Sequence, residues 1–173
     1  MSRVLLVVDM LVGFLDQDKP LYCGDDARNI IPFVRDKVEE LVQAGEPVIF
    51  VADSHAPDDA EFKMFPPHCV AGTDETELIE ELRPFRDKGT LVEKTRYNAL
   101  YNTRLLGLLA ELKPDVIEIV GVCTNICVLY TVEGLRNRDY SIVVHRDGVA
   151  SFDKAAHEFA IAQMKDVLGA EIR

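Results

Sequence analysis

Two groups of side chains in this 173-residue chain have the types and spacing to do chemistry. The first is Asp9, Lys94 and Cys127, each at the end of an apolar run or just beyond one. A thiol attacks as its thiolate, and bringing its pKa from about 8.5 to about 6 takes on the order of 3.5 kcal/mol. A helix N-terminus supplies about 0.3–1 kcal/mol. A Lys ammonium about 4 Å away in a partly buried site supplies about 4 kcal/mol, enough to close the gap. A carboxylate beside them opposes the thiolate unless it accepts the thiol proton, which is general-base work. Cys127, Lys94 and Asp9 therefore make a coherent nucleophile, electrostatic stabiliser and acid/base set. Each has a plainer role taken singly: Asp9 as a turn residue, Lys94 and nearby Arg96 as solvated charges, Cys127 as a small buried apolar side chain.

The second group is Asp53-Ser54-His55 with His68. In an extended segment residues two apart project to one side, so Asp53 and His55 can meet one ion, with His68 returning from an irregular loop. Two neutral imidazoles and a carboxylate leave coordination positions open, the pattern of a catalytic rather than a closed structural site. Glu61 in the same loop can add an oxygen. Cys69, next to His68, is either a soft ligand or buried packing, and Cys23 has no evident partner.

The elements that must position these groups alternate in type. Val4–Val8, Pro47–Ala52, Gly89–Glu93, Asp115–Gly121 and Tyr140–Val144 read as strands, with Ala170–Ile172 as a weak edge strand. Ile30, Ile31, Val34, Val38, Leu41 and Val42 recur at helical spacing before Gly45. Further helices are expected around Leu105–Leu112, Cys127–Arg136 and Lys154–Leu168. This pattern predicts an α/β fold: one domain spanning 1–173, a doubly wound, Rossmann-like, mostly parallel sheet of five to six strands with helices on both faces. In such sheets ligands bind beyond the carboxyl ends of the strands, where the strand order reverses. Asp9, Asp53, Lys94 and Cys127 all fall on that rim, and their convergence argues for a site. His145 follows the fifth strand and is expected to reach the same edge, His157 is expected to be exposed or capping, and the acidic run Glu75–Glu81 reads as the solvated face of a helix. Ser54–Thr73 is a loop longer than compact domains tolerate without a purpose.

Composition narrows the class. The chain is 48% hydrophobic and 28% charged with a net charge of −11, which fits a globular domain and argues against nucleic acid as a partner. The first apolar run is too short to span a membrane, so no membrane association is expected. Four cysteines fit a reducing, cytoplasmic setting better than a disulfide scaffold.

Asp9, Asp53-x-His55, Phe65-Pro66-Pro67-His68-Cys69, Lys94-x-Arg96-x-Asn98-Ala99 and Gly121-Val122-Cys123-Thr124-Asn125-Ile126-Cys127-Val128 together resemble the isochorismatase-like cysteine hydrolases, in order and across the chain. Within that superfamily the Asp-x-His and Pro-Pro-His pair is most similar to nicotinamidase/pyrazinamidase. The resemblance implies hydrolysis of nicotinamide to nicotinate and ammonia, in NAD salvage, with Cys127 as nucleophile, Asp9 as proton shuttle and Lys94 as the adjacent cation. It implies one divalent ion, zinc or else manganese or iron, on Asp53, His55, His68 and in some members an acidic residue at the position of Glu61. It further implies a non-proline cis peptide before Cys123, an oxyanion hole from the backbone N–H groups of Cys123 and Cys127, ring-stacking walls from Phe14 and Phe65, and a homo-oligomer. Many nicotinamidases carry Trp where this chain has Phe65. Two rivals are another small amide or carbamoyl hydrolase with the same triad, and a thiol-redox protein pairing Cys123 with Cys127.

Overall fold

The computed structural model describes residues 1–173. Its strands are β1 (Arg3–Val8), β2 (Val48–Asp53), β3 (Thr90–Lys94), β4 (Val116–Val122), β5 (Ile142–Ala150) and β6 (Glu171–Ile172). Its helices are α1 (Val12–Leu15), α2 (Asp25–Arg28), α3 (Ile31–Gln43), α4 (Leu105–Leu112), α5 (Leu129–Arg136) and α6 (Lys154–Ala162). The sheet order is β3-β2-β1-β4-β5-β6, with every neighbouring pair parallel. The chain winds outward from β1 in one direction through β2 and β3, then in the other through β4, β5 and β6. The reversal falls between β1 and β4, and the carboxyl ends of those strands open the crevice there.

Side chains alternate across the sheet with the period of two that strands impose. Leu5, Val7 and Phe50 pack on one face against Val34, Val38 and Leu41 of α3. Val4, Leu6, Val8 and Ile49 pack on the other against Leu105 and Leu109 of α4 and Val132 and Leu135 of α5. The two cores are of similar size, so β1 is buried on both faces and its sequence is a continuous apolar run. Burying one Leu or Val side chain contributes about 1.5–3 kcal/mol, which makes this central strand a firm base for the residues at its end. Two glycines are set by backbone demands. Gly45 closes α3 at φ +71°. Gly121 has φ +123°, and a Cβ there would stand 2.0 Å from the Val8 carbonyl oxygen, so the tips of β1 and β4 approach as closely as they do only with glycine.

Several local expectations need correction. Glu75–Glu81 is not a helix face: a single 3₁₀ turn covers Asp74–Thr76, after which Leu78 pairs with Leu11, and Leu78, Ile79 and Leu82 are buried against the first core. Leu78 and Ile79 of that run fill the space beside the β1 exit, and their burial outweighs its acidic pattern. β5 continues to Ala150 after a register shift opposite Ile119–Gly121, so His145 lies within a strand rather than beyond one. Its Nε2 is 2.6 Å from Glu118 Oε2, and Arg3, at the opposite end of β1 from Asp9, also pairs with Glu118. His145 is therefore hydrogen-bonded to a buried carboxylate away from the rim. His157 is not free at the surface, because its Nδ1 bonds Thr124 Oγ1 at 2.8 Å. Cys127 lies in a π-type turn, Thr124–Val128, ahead of α5, and α6 likewise ends in a π-type turn, Gln163–Val167. No helix is long and apolar enough to cross a membrane.

Candidate active site

Asp9 is the first residue past β1 and takes a left-handed backbone, φ +51°, which Asp tolerates better than most residues. Its N–H donates to the Val51 carbonyl at 2.9 Å, and its Oδ1 accepts from the Asp53 N–H at 3.0 Å. Asp53 and Lys94 end β2 and β3 and are directly paired in register. Lys94 is buried at 2% exposure, and its Nζ reaches Asp9 Oδ2 at 2.9 Å, Asp53 Oδ1 and Cys127 Sγ at 3.4 Å. Three strand ends and the turn after a fourth thus meet at one ammonium.

The electrostatics follow from burial and from that pairing. Burial disfavours the Lys94 cation, yet Asp53 and Asp9 outweigh it and hold its pKa well above the ordinary value. Asp53 is held below the usual carboxylate range: burial raises it, and the Lys94 charge and the His55 hydrogen bond more than compensate. Asp9 moves the other way, to about 6, because burial and the Asp53 charge together exceed the pull of Lys94. The Cys127 thiol is pushed well above its ordinary value by burial and by Asp9 and Asp53, against Lys94. This corrects the expectation that Lys94 alone closes the gap to a resting thiolate. The ammonium is close enough, but two carboxylates share it.

Asp53 turns its other oxygen toward the second group. His55 Nε2 is 3.6 Å and His68 Nε2 3.9 Å from Asp53 Oδ2, and Glu61 Oε1 is 3.7 Å from His68 Nε2. The Nδ1 atoms are engaged elsewhere, His55 with Asp59 Oδ2 at 3.2 Å and His68 with the Pro66 carbonyl at 2.8 Å. Those partners fix the rings with both Nε2 lone pairs free to face a common point. Burial lowers the His68 pKa, favouring the neutral form a ligand needs. His55 Nε2 and Glu61 Oε2 are buried without a hydrogen-bond partner, a state that costs about 1–3 kcal/mol per group unless something fills it. Asp53, His55 and His68 present their ligand atoms within 4.8 Å of one another. This donor set fits a divalent cation. Asp9, Asp53 and Cys127 are equally close, but the Lys94 ammonium already sits among them.

Both groups open on one cavity of about 340 Å³, lined by Asp9, Asp53, Glu61, His68, Cys123 and Cys127. Phe14 and Phe65 line it as well, their rings 5.7 and 6.4 Å from the His68 ring. The Val122–Cys123 peptide is cis. Tyr22, Tyr97 and Phe152 complete the aromatic lining and were not anticipated; only Tyr97 carried a signal, lying inside the Lys94–Ala99 segment. Asp59 was also missed. Arg96, read as a solvated charge, binds it at 2.9 and 3.1 Å, and Asp59 in turn orients His55. Cys69 is packing: its Sγ faces the Glu75 carbonyl, and burial pushes its thiol far up. The sulfur beside Cys123 is that of Cys23, at 3.3 Å.

Comparison with solved structures finds the same fold. The nicotinamidase/pyrazinamidase PncA of Bacillus subtilis superposes with a TM-score of 0.95 at 34% identity, over 99% of this chain and 99% of that one. The pyrazinamidase/nicotinamidase of Streptococcus mutans UA159 gives 0.94 at 31%, over 99% and 100%. The N-carbamoylsarcosine amidase of Thermoplasma acidophilum gives 0.89 at 31%, over 100% and 96%. The family model of the isochorismatase domain matches residues 3–172, and with that match spanning nearly every residue the chain belongs to the isochorismatase family.

Proposed function

We propose that this protein is a cysteine amidohydrolase that converts nicotinamide to nicotinate and ammonia through a thioester on Cys127. The observation that carries the reading is the single buried ammonium of Lys94, in reach of Asp9 Oδ2 at 2.9 Å and Cys127 Sγ at 3.4 Å, two side chains that line an aromatic-walled cavity. Asp9, with its pKa raised to about 6, is poised to take and return a proton near neutral pH. It accepts the Cys127 proton as the sulfur attacks the carboxamide carbon. Backbone N–H groups at Cys123 and Cys127 receive the developing oxyanion. Asp9 then gives its proton to the departing nitrogen, the C–N bond breaks, and ammonia leaves a thioester. A water whose proton passes to Asp9 attacks the thioester carbon. The C–S bond breaks, the acid is released, and the proton returns to Cys127.

Asp53, His55 and His68, with Glu61, are the residues that would hold a zinc, manganese or iron ion, whose chemistry when bound is Lewis-acidic attraction for the pyridine nitrogen. Phe14 and Phe65 supply flat apolar faces for the ring. The same reading places the protein in NAD salvage and in a reducing cytoplasm, which keeps Cys127 a thiol.

A second reading, hydrolysis of a carbamoyl amide by the same three residues, is favoured by the likeness to N-carbamoylsarcosine amidase at 31% identity. Ammonia release from nicotinamide, pyrazinamide and N-carbamoyl amino acids, with and without chelator, separates them. A kcat/KM for nicotinamide at least tenfold above every carbamoyl compound supports the first reading, and the reverse order establishes the second.

A further inference from the structure

Nothing in the hydrolytic reading uses the side chains of Cys23 and Cys123. They are 100 positions apart in sequence, yet their sulfurs are 3.3 Å apart, and both are buried in the wall of the same cavity. The other two cysteines are engaged elsewhere, Cys127 with Lys94 and Cys69 with the Glu75 carbonyl. Sulfurs already in contact need to close by only about 1 Å to reach bonding distance. The cavity gives a small oxidant access to them. We propose that Cys23 and Cys123 form a reversible disulfide under hydrogen peroxide, a modification site beside the nucleophile.

The chemistry balances in two steps. One of the two sulfurs, as its thiolate, attacks a peroxide oxygen; the O–O bond breaks, and a sulfenic acid and, after protonation, one water result. The second thiol attacks the sulfenic sulfur, the S–O bond breaks, and a second water leaves with the thiol's proton. Both thiols are oxidised and the peroxide is reduced to two waters. A dithiol reductant reverses the bond by exchange.

The position of the pair gives the bond a consequence. The Cys123 carbonyl accepts from the N–H groups of Ile126 and Val128, at 3.0 and 3.2 Å, and so holds the turn that carries Cys127. The Cys23 N–H donates to the Phe14 carbonyl at 2.9 Å, and Phe14 is a cavity wall. Drawing the sulfurs together pulls one of these against the other. A displacement of about 1 Å near reacting groups can lower turnover by about 100-fold. Oxidation is therefore expected to lower kcat/KM at least tenfold.

The test is made on the full chain, in the wild type and the Cys127→Ala variant, after reduction, desalting and peroxide treatment. Free thiols are alkylated and the protein is digested without reductant for mass spectrometry. The expected result is a peptide pair linked through Cys23 and Cys123, lighter by two hydrogens, present in both proteins and absent after dithiothreitol. Alkylation of both Cys23 and Cys123 after treatment, or a bond from either to Cys69 or Cys127, overturns the proposal. This arm needs no substrate, so its failure is distinct from failure of the nicotinamidase reading, on which only the activity arm rests. There, the oxidised-to-reduced ratio of kcat/KM is compared between the wild type and Cys23→Ser. A ratio at least fivefold higher in the variant supports the inhibitory consequence, and equal ratios refute it.

Discussion

Replacing Asp9 with Asn should stabilise the fold while it removes the activity, and the gain should grow with pH. Asp9 is 1% exposed, and burial and then the Asp53 charge raise its pKa from 3.8 to about 6. A carboxyl whose folded pKa lies above its unfolded value contributes stability that is complete below about pH 3.8 and is lost as pH rises through about 6. A rise from 3.8 to about 6 amounts to about 3 kcal/mol of native-state penalty near neutrality. Asparagine carries no charge at any pH, and its side-chain oxygen can keep the bond from the Asp53 N–H, 3.0 Å in the wild type. Its amide nitrogen next to the Lys94 ammonium adds an offset that does not titrate over this range. The variant-minus-wild-type difference in unfolding free energy should therefore rise by about 2 kcal/mol between about pH 4.5 and 7.5. Urea unfolding of chelator-treated protein, followed by circular dichroism, reads this directly, since the Asp53 charge is then unshared. A difference that stays flat or falls over that interval would refute the assignment of Asp9 as the carboxyl held against its preference. If the proposed mechanism holds, nicotinamide turnover should be lost in the same variant, because the amide cannot accept the thiol proton.

Cys127→Ala should lower turnover at least about 10³-fold with the metal content of the purified protein unchanged; more than 1% residual activity rejects a thioester route. If the proposed metal site is occupied, His55→Ala should remove the ion, read by elemental analysis, and raise KM for nicotinamide at least about tenfold. An unchanged KM in that variant excludes an anchoring role for the ion. Glu118→Gln tests the buried pair at the other end of the sheet, where the His145 hydrogen bond leads in lowering the Glu118 pKa from 4.5 to about 2. That contribution is present above about pH 4.5 and lost as pH falls through about 2, so at pH 7 the variant should lose about 3 kcal/mol. Its melting temperature should drop by roughly 6–12 °C at unchanged activity per folded molecule, and a drop under 2 °C counts against the pair.

The strands were legible because each rests on a short-range signal, while their order in the sheet is seen only in the fold. Val4–Val8 is apolar without alternation because both faces of β1 are covered, and the rule that ligands bind beyond strand ends then brings Asp9, Asp53 and Lys94 together. His55 and His68 were legible as ligand types, though not the Asp59 and Arg96 chain that orients His55, since those residues sit in irregular backbone with no period to read. Tyr22, Phe152 and Cys23 reach the cavity from loops for the same reason. The sign of the Cys127 shift was illegible on other grounds. It depends on how many carboxylates share one ammonium, a count that only three-dimensional packing settles.

That count constrains the chemistry more tightly than the identity of the residues does. Lys94 is buried with two carboxylates in reach, so the cluster of Lys94, Asp9 and Asp53 already carries one negative charge in excess when Asp9 is ionised. A preformed thiolate on Cys127 adds a second excess charge among these buried groups, and buried unbalanced charge is costly. Passing the proton from Cys127 to Asp9 leaves the total unchanged: one anion disappears as another appears, with the Lys94 ammonium against both atoms at 2.9 and 3.4 Å. The ammonium thus does not lower the thiol's resting pKa so much as make the carboxylate and the thiolate interchangeable partners. Proton transfer concerted with attack, rather than a standing thiolate, is the course this charge arrangement favours.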